Sequence, residues 1–237
     1  MPPKGHAVLS ASSSERWLNC PPSARLCEAY EDKGSDYAAE GTDCHALCEM
    51  RLKQALGIPT EDIIENLTWY NSEMEDCAEA YAAYVVELLE SAKRTCSDPV
   101  VCIEQKVDFS RWVQDGFGTA DCIVIADGVM NIVDYKHGKG VEVSAVGNPQ
   151  MRLYALGALA IFDGIYDIES VRMTIFQPRK GNISTDFIEK DALLEWADGE
   201  LSEKAKLAYE GQGEFHCGEW CRFCKACLLY TSDAADD

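Results

Sequence analysis

Basic residues are scarce in this chain: 21 Lys and Arg stand against 41 Asp and Glu, for a net charge of −20. So acidic a protein does not coat DNA non-specifically, because that binding rests on a basic surface that neutralises phosphates. The balance still admits a nucleic-acid enzyme in which a divalent metal supplies positive charge where a phosphate sits. Long apolar runs are also missing. The longest, residues 153–162, is about half the roughly 20 residues a membrane span needs, and it reads as a core helix. The opening MPPKGHAVLSASSS lacks the apolar middle of a secretory signal, so a cytoplasmic protein without a membrane partner is expected. No internal repeat and no separating linker is visible, which implies one domain.

What the chain has in excess is cysteine, twelve in all. In a cytoplasmic setting these are not expected to be disulfides. Cys27, Cys44, Cys48, Cys77, Cys96, Cys102 and Cys122 lie within apolar patterns and read as small buried hydrophobes. Cys20 and the group Cys217, Cys221, Cys224 and Cys227 stand apart from them. The last eleven residues, CLLYTSDAADD, look like translated read-through of a sequencing adapter. Residues 227–237 are therefore set aside and the single domain is placed at 1–226; without this tail the charge is still −17.

Taken in order, residues 14–20 read as a short helix stopped by Pro21-Pro22. A helical pattern from about Tyr37 to Leu56 ends at Gly57-Ile58-Pro59, and His45 and Glu49 share a face of it. Ser72-x-x-Glu75 reads as a capping box that opens a helix to about Arg94. Strands are expected at Val100–Phe109, Gly118–Ala126 and Val129–Tyr135, the last two joined by an Asp127-Gly128 turn. Asn148-Pro149 opens a helix to about Phe162, Ser170–Phe176 is a fourth strand, and Asp191–Glu210 is a final amphipathic helix. His6 and His137 read as loop residues.

The chemistry concentrates between Gly116 and Tyr154. The tight turn puts Asp121 and Asp134 on neighbouring strands, and Asp134 and Lys136, two apart, on one face. Two close carboxylates repel unless a cation lies between them. Mg²⁺ suits one or two carboxylates together with phosphate oxygens and water. A lysine beside such a site can stabilise charge developing on a phosphoryl group. Taken alone, an Asp-x-Lys in a strand is an ordinary solvated face. Here it ends the buried run Asn131-Ile132-Val133, and Gln150 and Tyr154 follow one turn apart on the next helix.

Gly118-Thr119-Ala120-Asp121, then Val133-Asp134-Tyr135-Lys136, then Gln150-x-x-x-Tyr154 resemble the PD-(D/E)XK nuclease superfamily in its RecB-like branch. Glu40-Gly41-Thr42-x-x-His45 is similar to that branch's upstream helix motif. The likeness spans about residues 37–178. It implies a restriction-endonuclease-like α/β core, in the order αβββαβ, with a mixed central sheet flanked by helices, a helical N-terminal insertion and Cys-clasped termini. It also implies that His45, Asp121, Asp134 and the backbone carbonyl of Tyr135 hold Mg²⁺ or Mn²⁺. Lys136 would be the catalytic lysine, and Gln150 and Tyr154 would position the DNA strand or that lysine. Asp134 stands where many members carry Glu, which changes reach rather than chemistry. Glu49 and Glu104 are further acidic residues that an ordinary helix face or strand explains as well.

Four thiolates can hold zinc or a [4Fe–4S] cluster, and spacing alone does not choose. Ser10-x-Ser12…Trp17-x-x-Cys20-Pro21 and Trp220-Cys221-x-x-Cys224 look like the flanks of RecB-like nucleases such as AddB-type and CRISPR-associated exonucleases. That resemblance implies an iron–sulfur clasp between residues 15–22 and 215–226, held by Cys20, Cys221, Cys224 and a fourth ligand for which Cys227 is the candidate. Cys217 could substitute, although it precedes Cys221 by four and departs from the family spacing. The function expected is a metal-dependent DNA exonuclease or nuclease of phage or mobile-element type. It would act on single strands or duplex ends, alone or beside a recombination or helicase partner. The alternatives are a catalytically silent module on the same fold that binds DNA or a partner, and a zinc-stapled protein with no nucleic-acid role.

Overall fold

The structure, a computed structural model, describes residues 7–30 and 34–227; His6 and residues 228–237 of the tail lie outside them. The polypeptide forms a five-stranded mixed sheet flanked by helices, consistent with a restriction-endonuclease-like α/β core. Strands β1 (Val100–Asp108), β2 (Phe117–Ala126) and β3 (Val129–Tyr135) make an antiparallel meander. Asp127 and Gly128 both take positive φ at the β2–β3 turn, as a two-residue hairpin requires. Helix α5 (Pro149–Tyr166) then crosses over to β4 (Ser170–Gln177), which pairs in parallel with β3. Asn148 caps α5 by accepting the Met151 N–H, with Pro149 at the first turn where it sacrifices no hydrogen bond.

Each face of the sheet buries its own core. On one face α5 packs with α1 (Ser14–Asn19), α2 (Ser23–Glu28), α6 (Lys190–Trp196) and α7 (Ser202–Glu210) around Trp17, Phe109, Ile123, Ile132 and Met173. On the other, α3 (Asp36–Ala55) and α4 (Ser72–Ala92) cover Cys122, Val124, Val133, Tyr135 and Phe176. Among the described residues no helix is long and apolar enough to cross a membrane.

Several elements differ from expectation. A fifth strand, β5 (Asn182–Glu189), pairs antiparallel with β4 at the sheet edge. Its residues alternate between half-buried and exposed, so it presents no apolar run for sequence reading to find. The chain re-enters helix as α2 directly after Pro21-Pro22, because a proline ahead of a helix costs it nothing. The cap of α4 is Asn71, whose side chain accepts the Met74 N–H; Glu75, instead of closing a capping box, pairs with Arg51 of α3. The last helix is broken by a π turn over Ala197–Leu201.

Candidate functional site

The site lies where β2 parts from β3. Their pairing runs from Ala126↔Val129 to Cys122↔Val133 and stops there, while β3 continues against β4 to Tyr135↔Phe176. Beyond the last pair, the Asp121 side chain takes over: its Oδ2 accepts the Tyr135 N–H at 2.7 Å. Alternation along β2 breaks at the same point. Ile123 and Ile125 face the α5 side, and so does Ala120, with Cys122 and Val124 on the α3 side. At this break Asp121 Oδ2 also reaches His45 of α3.

Glu104 stands opposite Asp121 on β1, between the paired positions Ile103↔Cys122 and Gln105↔Ala120. Its φ of 51° is left-handed, a costly conformation for a non-glycine residue inside a strand. The two strand irregularities bring Glu104, Asp121 and His45 together, with ligand atoms all within 4.8 Å of one another. His45 Nδ1 is 3.4 Å from Asp121 Oδ2. The sequence offers one signal for Glu104, an acidic residue in the middle of a β-branched strand.

Asp134 and Lys136 face α5. Lys136 Nζ is 2.8 Å from Asp134 Oδ2, an ion contact whose angles do not make a hydrogen bond, so that buried oxygen keeps an open lone pair. Gln150 closes the group. Its Oε1 accepts from Lys136 Nζ at 3.1 Å, and its Nε2 donates to Asp134 Oδ1 at 3.2 Å and to Tyr154 OH at 3.1 Å. Tyr154 lies over Gly118, where a Cβ would stand 2.8 Å from the ring, so glycine is needed for the ring to sit there. Asp134, Lys136, Gln150 and Tyr154 thus meet as expected from their spacing.

For Asp121 and Glu104, burial outweighs the cations nearby. Burial pushes Asp121 up to about 6; His45 opposes the rise and Asp134 adds to it. Burial, then Asp121 and Glu49, pushes Glu104 up to about 8. Burial and Asp134 likewise raise Tyr154, which stays a neutral hydroxyl. Oxygen donors with one imidazole, raised carboxylates and an open oxygen on Asp134 fit a hard divalent cation. Glu49 instead pairs with Lys53 one turn along α3.

Tyr135 contributes its backbone N–H, while its buried ring meets His45 edge-on at 5.4 Å. The Tyr135 hydroxyl bonds to Cys44 Sγ at 3.2 Å and His137 Nδ1 at 2.9 Å. His137 is therefore no loose loop residue. It is buried, and its Nε2 is 3.1 Å from Glu40, which also accepts from Arg179. This chain of contacts fastens α3 to the end of β3 behind His45; nothing in the spacing of these residues foretold it.

The cysteines gather at a second place. Cys20, Cys217, Cys221, Cys224 and Cys227 line one cavity of about 60 Å³ between α1–α2 and residues 215–227. Cys27, read from sequence as a plain hydrophobe, is within 3.7 Å of Cys224, sulfur to sulfur. Burial works against ionising Cys224, but hydrogen bonds with Cys227 and Cys27 outweigh it and hold its thiol below the usual range. Cys227 is pushed up to about 12 by burial and by Cys224 and Cys221. A group of thiols sharing one cavity fits a thiophilic centre.

A family model described as "Protein of unknown function (DUF2800)" matches residues 6–235. A solved structure described as "Crystal structure of SSO0001" overlaps at a TM-score of 0.32 and 15% identity, over 78% of this chain and 93% of that one.

Proposed function

We propose that this chain, which belongs to the DUF2800 family, is a Mg²⁺- or Mn²⁺-dependent DNA nuclease of the PD-(D/E)XK type, in its RecB-like branch. The observation that carries the reading is the convergence, at the β2–β3 fork, of the His45–Glu104–Asp121 group with Asp134, Lys136 and Gln150. His45, Glu104, Asp121 and Asp134 would hold the cation. When bound, it lowers the pKa of a water and polarises a phosphoryl oxygen.

The protein's own groups do the rest. Asp134 and Gln150 hold the Lys136 ammonium in one place, where it faces negative charge developing on the scissile phosphate. Tyr154, kept neutral, fixes the Gln150 amide. His45 is braced by the Tyr135 ring and by the contacts through His137 to Glu40. Exonucleolytic action in phage or mobile-element DNA processing, in the cytoplasm, is the form proposed. The thiol cavity is assigned to a [4Fe–4S] cluster, with zinc as the alternative.

The test is digestion of end-labelled linear and circular DNA with Mg²⁺, Mn²⁺ or chelator, using anaerobically prepared protein. Metal-dependent loss of linear label that disappears in Lys136→Ala and Asp134→Ala is expected. A Lys136→Ala protein as active as the unaltered chain would overturn the proposal. The net charge of −20 favours a second reading, a silent module that binds DNA or a partner. Metal-independent DNA binding without cleavage would select it.

A further inference from the structure

We propose that Cys27 is a ligand of the thiophilic centre. Cys20 and Cys27 then come from α1–α2, and Cys221 and Cys224 come from the opposing turn. The inference rests on the metal-centre reading of the cysteine cavity and names which sulfurs complete it.

Four observations carry it. Cys27 Sγ and Cys224 Sγ are 3.7 Å apart, although the residues are separated by 197 positions in sequence. With zinc–sulfur bonds of about 2.3 Å, the edge of a tetrahedral thiolate site is about 3.8 Å, so this pair has the spacing of two ligands on one zinc ion; on an iron–sulfur cluster, where each thiolate holds a different iron, the two sulfurs would stand farther apart. Cys27 is 7% exposed and Cys224 4%, so neither faces solvent.

Secondly, Arg16 donates to Cys27 Sγ at 3.2 Å and is itself fixed by the Ser23 carbonyl at 2.7 Å. A guanidinium directed at a sulfur stabilises thiolate charge. Outer donors of this kind orient and tune metal-bound thiolates.

Thirdly, Cys27 is positioned independently of residues 219–227. Helix α2 packs on α7, and Arg25 holds it there by bonding the Tyr209 carbonyl and stacking on its ring at 4.4 Å. Fourthly, the Pro21-Pro22 turn folds α2 back beside α1, with Ser23 N–H bonded to the Cys20 carbonyl at 3.0 Å. Cys20 lines the cavity itself, and Cys27 meets that lining through Cys224. Two thiols from each of two separate segments make a clasp that ties them together.

The experiment compares full-length unaltered protein with Cys27→Ser, Cys20→Ser and Cys227→Ser. Each is loaded anaerobically with Fe²⁺ and sulfide, or separately with Zn²⁺. Bound metal per chain and the visible sulfur-to-iron absorption are read, with circular dichroism as the check on folding. Cys27→Ser is expected to hold at least fivefold less metal, like Cys20→Ser, while Cys227→Ser keeps the full amount. The metal that binds stoichiometrically tells an iron–sulfur cluster from zinc.

Cys27→Ser that loads like the unaltered chain overturns the inference and leaves the metal centre standing. An unaltered chain that takes up neither metal overturns both. Should Cys27→Ser not fold, the unaltered protein is labelled with iodoacetamide in its metal-loaded and chelator-stripped states. Stripping is expected to raise labelling at Cys20, Cys27 and Cys224 together, and to leave the buried Cys48 unchanged as a control. A Cys27 indifferent to stripping while Cys224 responds refutes the assignment.

Discussion

Asp121 ends the β2–β3 ladder with its own side chain: Oδ2 accepts the Tyr135 N–H at 2.7 Å and faces His45 Nδ1 at 3.4 Å. One oxygen therefore serves both the fold and the site. Asp121→Asn keeps an acceptor for Tyr135 and loses the charge. It is expected to melt close to the unaltered chain while binding Mg²⁺ or Mn²⁺ at least tenfold more weakly by calorimetry. Asp121→Ala also abandons the Tyr135 donor, which costs about 1–3 kcal/mol more in denaturant unfolding. Equal stability of the two variants would show that the contact is dispensable.

The raised carboxylates set a pH dependence. Glu104 is held up to about 8 and Asp121 to about 6, above the values near 4 of unfolded carboxylates. Between those limits the folded chain binds more protons than the unfolded one. Cation-free stability should therefore fall as pH rises from about 5 to 8. A cation needs these groups ionised, so its affinity should rise over the same interval and its binding release protons. Melting curves in chelator and in Mg²⁺ are expected to diverge as pH increases, and Glu104→Gln to flatten the chelator curve. A chelator curve that climbs with pH would contradict this account of Glu104 and Asp121.

Gln150 bonds to Lys136, Asp134 and Tyr154 at once. Gln150→Ala should leave Lys136 present but loosely held. Misplacing a reacting group by about 1 Å can cost about 10²-fold, so kcat is expected to fall by about that factor with KM little changed. A change confined to KM would instead make Gln150 a substrate contact.

Gly118→Ala tests the placement of Tyr154, whose ring would lie 2.8 Å from the new methyl. Overpacking of this kind costs about 1–3 kcal/mol. Nuclease activity is expected to drop along with stability, and Tyr154→Phe to leave the clash and Tyr154→Ala to relieve it. A Gly118→Ala chain as stable as the unaltered one would mean that α5 shifts freely.

Arg179 is half-buried and reaches the half-buried Glu40 and the exposed Glu73, both at 3.0 Å. Removing the guanidinium leaves Glu40 without this cation, while solvent screens Glu73. Arg179→Met is expected to lower the melting temperature modestly, a loss of which Glu40→Gln should restore part in the double variant. Additive losses would show that the two side chains do not depend on one another.

Local patterns already determined much of this protein. The Asp127-Gly128 turn, the Asn148-Pro149 helix start, the β-branched runs and the two-residue spacing of Asp134 and Lys136 act over a few residues, and each is found where spacing implies. Alternation and helical period likewise define the flanked mixed sheet. Other features depended on contacts between distant segments. The edge strand β5 is held by the ladder that β4 offers it, with its residues alternating between half-buried and exposed. Glu75 left its expected cap because Arg51 lay within reach. Glu104 joined the site through a backbone twist that no residue type announces, His137 was buried by Glu40 and Tyr135, and Cys27 met Cys224 across almost the whole described chain. Propensity and period are local properties, whereas a carboxylate's charge state and a thiol's neighbours are set by whatever the completed fold brings beside them.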